Sequence, residues 1–182
     1  AYYSYKQEQK KENAIEQMTF LDTVKPIKIS FLEKDIIPRI KNILAKYPRL
    51  LALPLNLFSF ENGQLQHPHT HGDTIFFPLK FLDTLNAIDL DASSIRDKDS
   101  TRRLFIRVII HELIHIYQRL YPNESNTLIM NIWGMFPNGF VPYQINPDEN
   151  YVSYDTTRAS ERTKRFAKYH PLEMMAYLLT EH

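Results

Sequence analysis

Residues 104–120 read LFIRVIIHELIHIYQRL, a stretch that contains neither Gly nor Pro. Its apolar residues cover nearly every side of a helical wheel, which predicts a helix that is buried on most faces. Ser100 and Thr101 are residue types that begin helices, and Pro122 is of the type that follows a helix end. We therefore expect one long buried helix, around which the rest of the chain packs.

The centre of this stretch is HELIH, a His-Glu-x-x-His pattern. A helix places His111 and His115 on one face, one turn apart, so both imidazoles can reach a single zinc ion at ~2.0–2.1 Å. Glu112 lies off that face on the same turn, and it can reach a metal-bound water without being a ligand. Two nitrogen ligands with an adjacent base are most of a hydrolytic zinc site. The alternative is an accidental pair of surface or core histidines.

The motif and its helical context resemble the zincin metallopeptidases. The resemblance is close only over the HELIH helix. With the coarse pattern of the chain, it implies an α+β fold in which a small sheet packs on a central HELIH helix, followed by a mainly helical C-terminal part. We expect residues 1–18 to form a polar arm and residues 19–182 to form a single domain of this kind.

Zincins differ in their third metal ligand. The metzincin pattern needs Gly at position 118 and His or Asp at position 121, where this chain has Gln118 and Tyr121. The gluzincin pattern takes a Glu from a later helix, and Glu173 lies in the one downstream apolar segment that suits this role. A lone carboxylate among apolar residues also needs a partner. The acidic residues of the preceding loop remain alternatives: Asp148, Glu149 and Asp155.

The sequence defines two further groups less closely, namely the hydrogen-bond partner of a zinc histidine and the oxyanion donor. Several gluzincins carry an Asp four residues after the ligand Glu, oriented towards a zinc histidine, but this chain has Tyr177 there. We therefore expect the partner of His111 or His115 to be Asp155, Asp148 or a backbone carbonyl. A donor to the oxyanion of the tetrahedral intermediate is also needed. Tyr154 and Tyr151 are our candidates, with His170 as an alternative.

Segments before the helix suggest how a substrate could bind. In zincins a strand at the sheet edge pairs with the substrate backbone, and Thr74, Ile75 and Phe76 are the candidates for that strand. An ordinary core strand explains them equally well. The nearby His67, His69 and His71 alternate along the chain, which permits a second metal site or a contribution to the first. We favour a solvent-exposed loop for these three.

Composition narrows the class of protein. The chain has 182 residues, a formal net charge of +1 and no cysteine. The sequence therefore excludes disulfides and Cys-based zinc sites, and it gives no argument for a nucleic-acid partner. With no apolar run long enough to span a bilayer and no secretory h-region, we expect a soluble protein, cytoplasmic or exported.

These patterns together predict a zinc metallopeptidase with one catalytic zinc ion and a protein or peptide substrate. His111, His115 and Glu173 bind the metal, and Glu112 is the general base that takes a proton from the zinc-activated water. Two alternatives stay open, namely a zinc-stabilised binding module without activity and a zinc hydrolase that acts on a non-peptide amide.

Overall fold

The computed structural model describes residues 23–61, 67–90, 95–134, 136–137, 154–155 and 171–180. The architecture is α+β, as predicted. Strands are β1 (Lys25–Pro26), β2 (Asn56–Phe60), β3 (His69–His71), β4 (Thr74–Pro78), β5 (Phe136–Pro137) and β6 (Tyr154–Asp155). Helices are α1 (Ile37–Leu44), α2 (Pro48–Leu51), α3 (Asp83–Asp89), α4 (Ile95–Leu120), α5 (Pro122–Thr127) and α6 (Pro171–Thr180). The predicted polar arm, residues 1–18, lies outside the described residues.

Three irregular helical turns extend these helices. A π-helical turn, Leu32–Ile36, runs directly into α1. A 3-10 turn, Leu79–Leu82, leads from β4 into α3. A second π-helical turn, Leu128–Ile132, follows α5.

Four strands form a mixed sheet in the order β1-β2-β4-β3. The inner strands β2 and β4 are parallel, and β1 and β3 run antiparallel to them. Strand β4 is therefore paired on both sides, with Thr74 and Phe76 opposite His71 and His69 on one side. The prediction that Thr74, Ile75 and Phe76 form an edge strand is wrong, because their backbone groups belong to the ladders of two neighbouring strands. Their contact with substrate stays a prediction.

One face of this sheet packs against α4. Side chains in register on neighbouring strands share a face, so Leu57, Thr70 and Ile75 lie together, with Phe77 on the same side. The ring of Phe77 stacks on that of Phe105 of α4, with ring centroids 5.8 Å apart. Burial of these large side chains drives the packing of sheet on helix, at roughly 1.5–3 kcal/mol for each fully buried side chain.

Helix α4 is 26 residues long and forms the centre of the described core. It begins at Ile95, so the predicted start at Ser100 and Thr101 is wrong by one and a half turns. Its buried apolar side chains, which are no more than 7% exposed, are Phe105, Ile109, Ile110, Leu113, Ile114 and Ile116. The helix ends as expected before Pro122, and the backbone N–H of Tyr121 donates to the carbonyl of Tyr117 at 2.8 Å.

The C-terminal helix α6 packs along α4. Its Met174, Met175 and Ala176 are buried, and the last two belong to the same core as α4. Among the described helices, none combines the length and the apolar character needed to cross a membrane.

Candidate metal centre

The two histidines of the HELIH pattern lie side by side on α4. The Nε2 atoms of His111 and His115 are 3.1 Å apart, and their ring planes meet at 84°. Two nitrogens bound to one tetrahedral zinc at ~2.0–2.1 Å would be separated by about 3.3 Å. The pair therefore has close to the spacing that a shared metal ion requires, and His115 is only 3% exposed.

The other ring nitrogen of His115 is held by a glutamine one turn further along. His115 Nδ1 lies 2.9 Å from Gln118 Oε1, and Gln118 Nε2 donates to the carbonyl of Leu172 at 2.8 Å. The described partner of His115 at this nitrogen is thus Gln118, which we did not predict for this role. A role for Asp155, Asp148 or a backbone carbonyl at His111 stays a prediction, because Asp148 and the side chain of Asp155 lie outside the described residues. The i, i+3 spacing of His115 and Gln118 was the sequence signal for this contact.

Glu112 is 6% exposed and lies on the same turn as His111. Seven residues later, on the same side of the helix, Arg119 is half-buried. Burial lowers the pKa of the Arg119 guanidinium from its ordinary value, while the negative charge of Glu112 acts in the opposite direction. No sequence motif points to Arg119, although its spacing of two turns from Glu112 is visible in the sequence.

Arg119 also ties the sheet to this end of α4. Its Nη2 donates to the carbonyl of Gly72 at 2.7 Å. Gly72 has a φ of 60°, a conformation that suits glycine, in the two-residue turn between β3 and β4. The turn of this hairpin is thereby fixed beside the part of α4 that carries the motif.

The segment of alternating histidines is a strand at the end of the described sheet. His69 and His71 lie in β3, so the interpretation as an exposed loop is wrong for them, although His67 and His71 are exposed. The ring of His69 contacts Phe60 and Phe76, with centroids 5.1 and 5.7 Å apart, and burial lowers its pKa from the ordinary value.

The strand register separates these histidines from the pair on α4. His69 is opposite Phe76, and Thr70 is opposite Ile75, whose face packs against α4. His69 and His71 therefore lie on the other face of the sheet and do not join His111 and His115. In the residues that the structure describes, no cluster of three or more metal-ligating side chains is found.

The remaining candidates are described in part or not at all. Glu173 follows Leu172 in α6, the helix that Gln118 contacts, but its side chain lies outside the described residues. The backbone of Tyr154 and Asp155 forms β6, paired with β5, and their side chains are likewise not described. Asp148, Glu149, Tyr151 and His170 lie outside the described residues.

Comparisons of the chain with protein-family models, with curated proteins and with solved structures found no match.

Proposed function

We propose that this protein is a zinc-dependent metallopeptidase with a zincin-like fold. The observation that carries the proposal is the His111–His115 pair, whose Nε2 atoms lie 3.1 Å apart beside a buried glutamate on the same helical turn. His115 and Glu112 are buried and His111 is half-buried, so the pair and the carboxylate are shielded from bulk water. Imidazole nitrogen is a preferred zinc ligand, and a bound cation would use the convergence of the two rings on one point.

The donor set suits zinc. Zinc binds imidazole nitrogen and carboxylate oxygen in tetrahedral sites, and a catalytic site leaves one position open. In our proposal His111 and His115 supply two ligands, and Glu173 of α6 supplies the third. The hydrogen bond from Gln118 to Leu172 supports this choice, since it holds the residue next to Glu173 against the helix that carries the histidines.

The chemistry would be divided among the residues of this site. The zinc ion, when bound, supplies a Lewis acid that polarises the scissile carbonyl and activates a water. Glu112 takes a proton from the attacking water and passes it to the leaving amine. Tyr154 or Tyr151 is proposed as the donor to the developing oxyanion.

Strand β3 offers a way to bind an extended peptide. It lies at the end of the sheet in the described part of the chain, and it contacts α4. Main-chain hydrogen bonds along such an edge bind a peptide with little demand on its sequence. We therefore propose an unfolded or extended polypeptide as the substrate.

The test is hydrolysis of a mixture of unstructured peptides, with the products read by mass spectrometry. Protein that has been stripped with a chelator should be inactive, and one equivalent of zinc should restore cleavage. Cleavage that continues after zinc is measured to be absent would refute the metallopeptidase. Zinc binding without cleavage of any peptide would favour a binding module or an enzyme for a small amide.

A further inference from the structure

Gln118 is a buried side chain between the metal-centre helix and the C-terminal helix. It is 5% exposed, and both ends of its amide are engaged. Oε1 lies 2.9 Å from His115 Nδ1, and Nε2 lies 2.8 Å from the carbonyl oxygen of Leu172. A glutamine serves here as a connector between α4 and α6.

The Leu172 carbonyl decides the direction of both hydrogen bonds. A backbone carbonyl can only accept, so the amide nitrogen of Gln118 must face it. The amide oxygen then faces His115 Nδ1, and that nitrogen must carry the hydrogen. A neutral imidazole has only one N–H, so His115 Nε2 carries the lone pair, which accepts a hydrogen bond from His111 Nε2 at 3.1 Å in the metal-free protein.

We propose that Gln118 is a positioning residue that fixes His115 in the Nδ1–H tautomer, with Nε2 ready to bind metal. This inference rests on the proposed zinc site for its function, but the tautomer itself is a property of the metal-free protein. Partners of this kind raise the basicity of a ligand histidine and fix its ring, and their loss typically costs 10–100-fold in metal affinity.

Three variants separate positioning from simple packing. Gln118→Met keeps the length of the side chain and removes both hydrogen bonds. Gln118→Glu keeps an oxygen acceptor for His115 Nδ1 and loses the donor to Leu172. Ser125→Ala is the matched control, because Ser125 is a buried polar residue, 2% exposed, whose hydroxyl bonds to the Tyr121 carbonyl at 3.3 Å.

The first measurement is nitrogen-15 NMR of the imidazoles in the metal-free protein, at a pH of about 8 where free imidazole is neutral. We expect His115 to be protonated at Nδ1 in the wild type and in Ser125→Ala, and to lose this preference in Gln118→Met. A wild-type His115 protonated at Nε2 would overturn the inference, whatever the protein does with zinc.

The second measurement is zinc affinity by competition with a chromophoric chelator, together with the visible spectrum of the cobalt-substituted protein. Gln118→Met should bind zinc about 10–100-fold more weakly and change the cobalt spectrum. Gln118→Glu should stay closer to the wild type, and Ser125→Ala should match it. Equal losses in both Gln118 variants, or no loss in either, would refute the positioning role. Failure of the wild type to bind zinc would instead refute the proposed function.

Discussion

The two halves of α4 differ in the solvent exposure of their polar side chains. In the first half, Arg103 and Arg107 are exposed, and Arg102 pairs with Asp35 and Asp99 near the surface. In the second half, Glu112, His115 and Gln118 are at most 6% exposed, while His111 and Arg119 are half-buried. Surface ion pairs contribute little to stability, whereas buried polar groups require specific partners. A buried polar second half is what the proposed metal centre requires, whereas the first half carries ordinary surface charges.

The largest effect is expected at Glu112. Glu112→Gln should retain zinc and lose about 10²–10⁴-fold in the rate of peptide hydrolysis, because the amide cannot accept the proton of water. Arg107→Gln is the matched control, since Arg107 is an exposed charge five residues earlier on the same helix. Its rate should stay close to that of the wild type.

Zinc content and hydrolysis measured together would separate the two roles open to Glu112. A variant Glu112→Gln that loses zinc as completely as His115→Ala would show that Glu112 is a ligand. Equal activities of Glu112→Gln and Arg107→Gln would refute a catalytic role for Glu112 and, with it, a functional difference between the two halves of α4.

The next largest effect is expected on zinc affinity, at Glu173 of α6. Glu173→Ala should weaken zinc binding by more than about 100-fold, because it removes a ligand rather than a supporting partner. Glu124→Ala is the control, since Glu124 is an exposed carboxylate in α5 that bonds to Arg49 and Tyr117. Competition with a chelator measures both affinities. A larger loss in Asp155→Ala than in Glu173→Ala would assign the third ligand to Asp155 of β6 instead.

The smallest expected effect is on stability, and it concerns Asp35, which pairs with Arg102 in the first half of α4. Partial burial acts to raise the pKa of Asp35, but the hydrogen bonds and charges of Arg102 and Arg39 outweigh it, so the pKa lies below its ordinary value. The folded state therefore binds the proton less readily than the unfolded state. The stabilisation is complete above the unfolded pKa of about 3.9 and is lost as the pH falls through the folded value.

Urea unfolding of Asp35→Asn at several pH values tests this sign. At neutral pH the variant should lose less than about 1 kcal/mol in the free energy of unfolding, since the ion pairs are partly solvated. The loss should shrink as the pH falls below about 3.9. Glu33→Gln, which changes an exposed carboxylate two residues earlier, should show a smaller change. A loss that grows towards acid pH would contradict the pKa direction.

Local patterns predicted the elements well where one periodicity dominated. The apolar run around HELIH gave the long helix, and Pro171 with the apolar residues that follow it gave α6. The Thr74–Phe77 stretch is a strand, as expected. The adjacency of His111 and His115 follows directly from helical geometry, because residues four apart share a face.

The predictions that the structure contradicts concern features that depend on contacts between distant parts of the chain. The apolar residues of β4 fit an inner strand and an edge strand equally well. We predicted β4 as the edge strand, whereas the described sheet ends at β3. The polar residues of β3 led us to predict a loop. The contacts that partly bury His69 come from Phe60 of β2 and Phe76 of β4, and the local sequence of β3 does not reveal them. The start of α4 was placed at helix-capping residue types that in fact lie inside the helix.

Whether His111 and His115 bind zinc can be measured by calorimetric zinc titration of metal-free wild type, His111→Ala, His115→Ala and Arg107→Ala. We expect one zinc ion per chain in the wild type and in Arg107→Ala. Either histidine variant should lose this binding, because a tetrahedral site that loses an imidazole ligand keeps too few donors. A wild type that binds no zinc, or histidine variants that bind it as tightly as the wild type, would refute the metal centre.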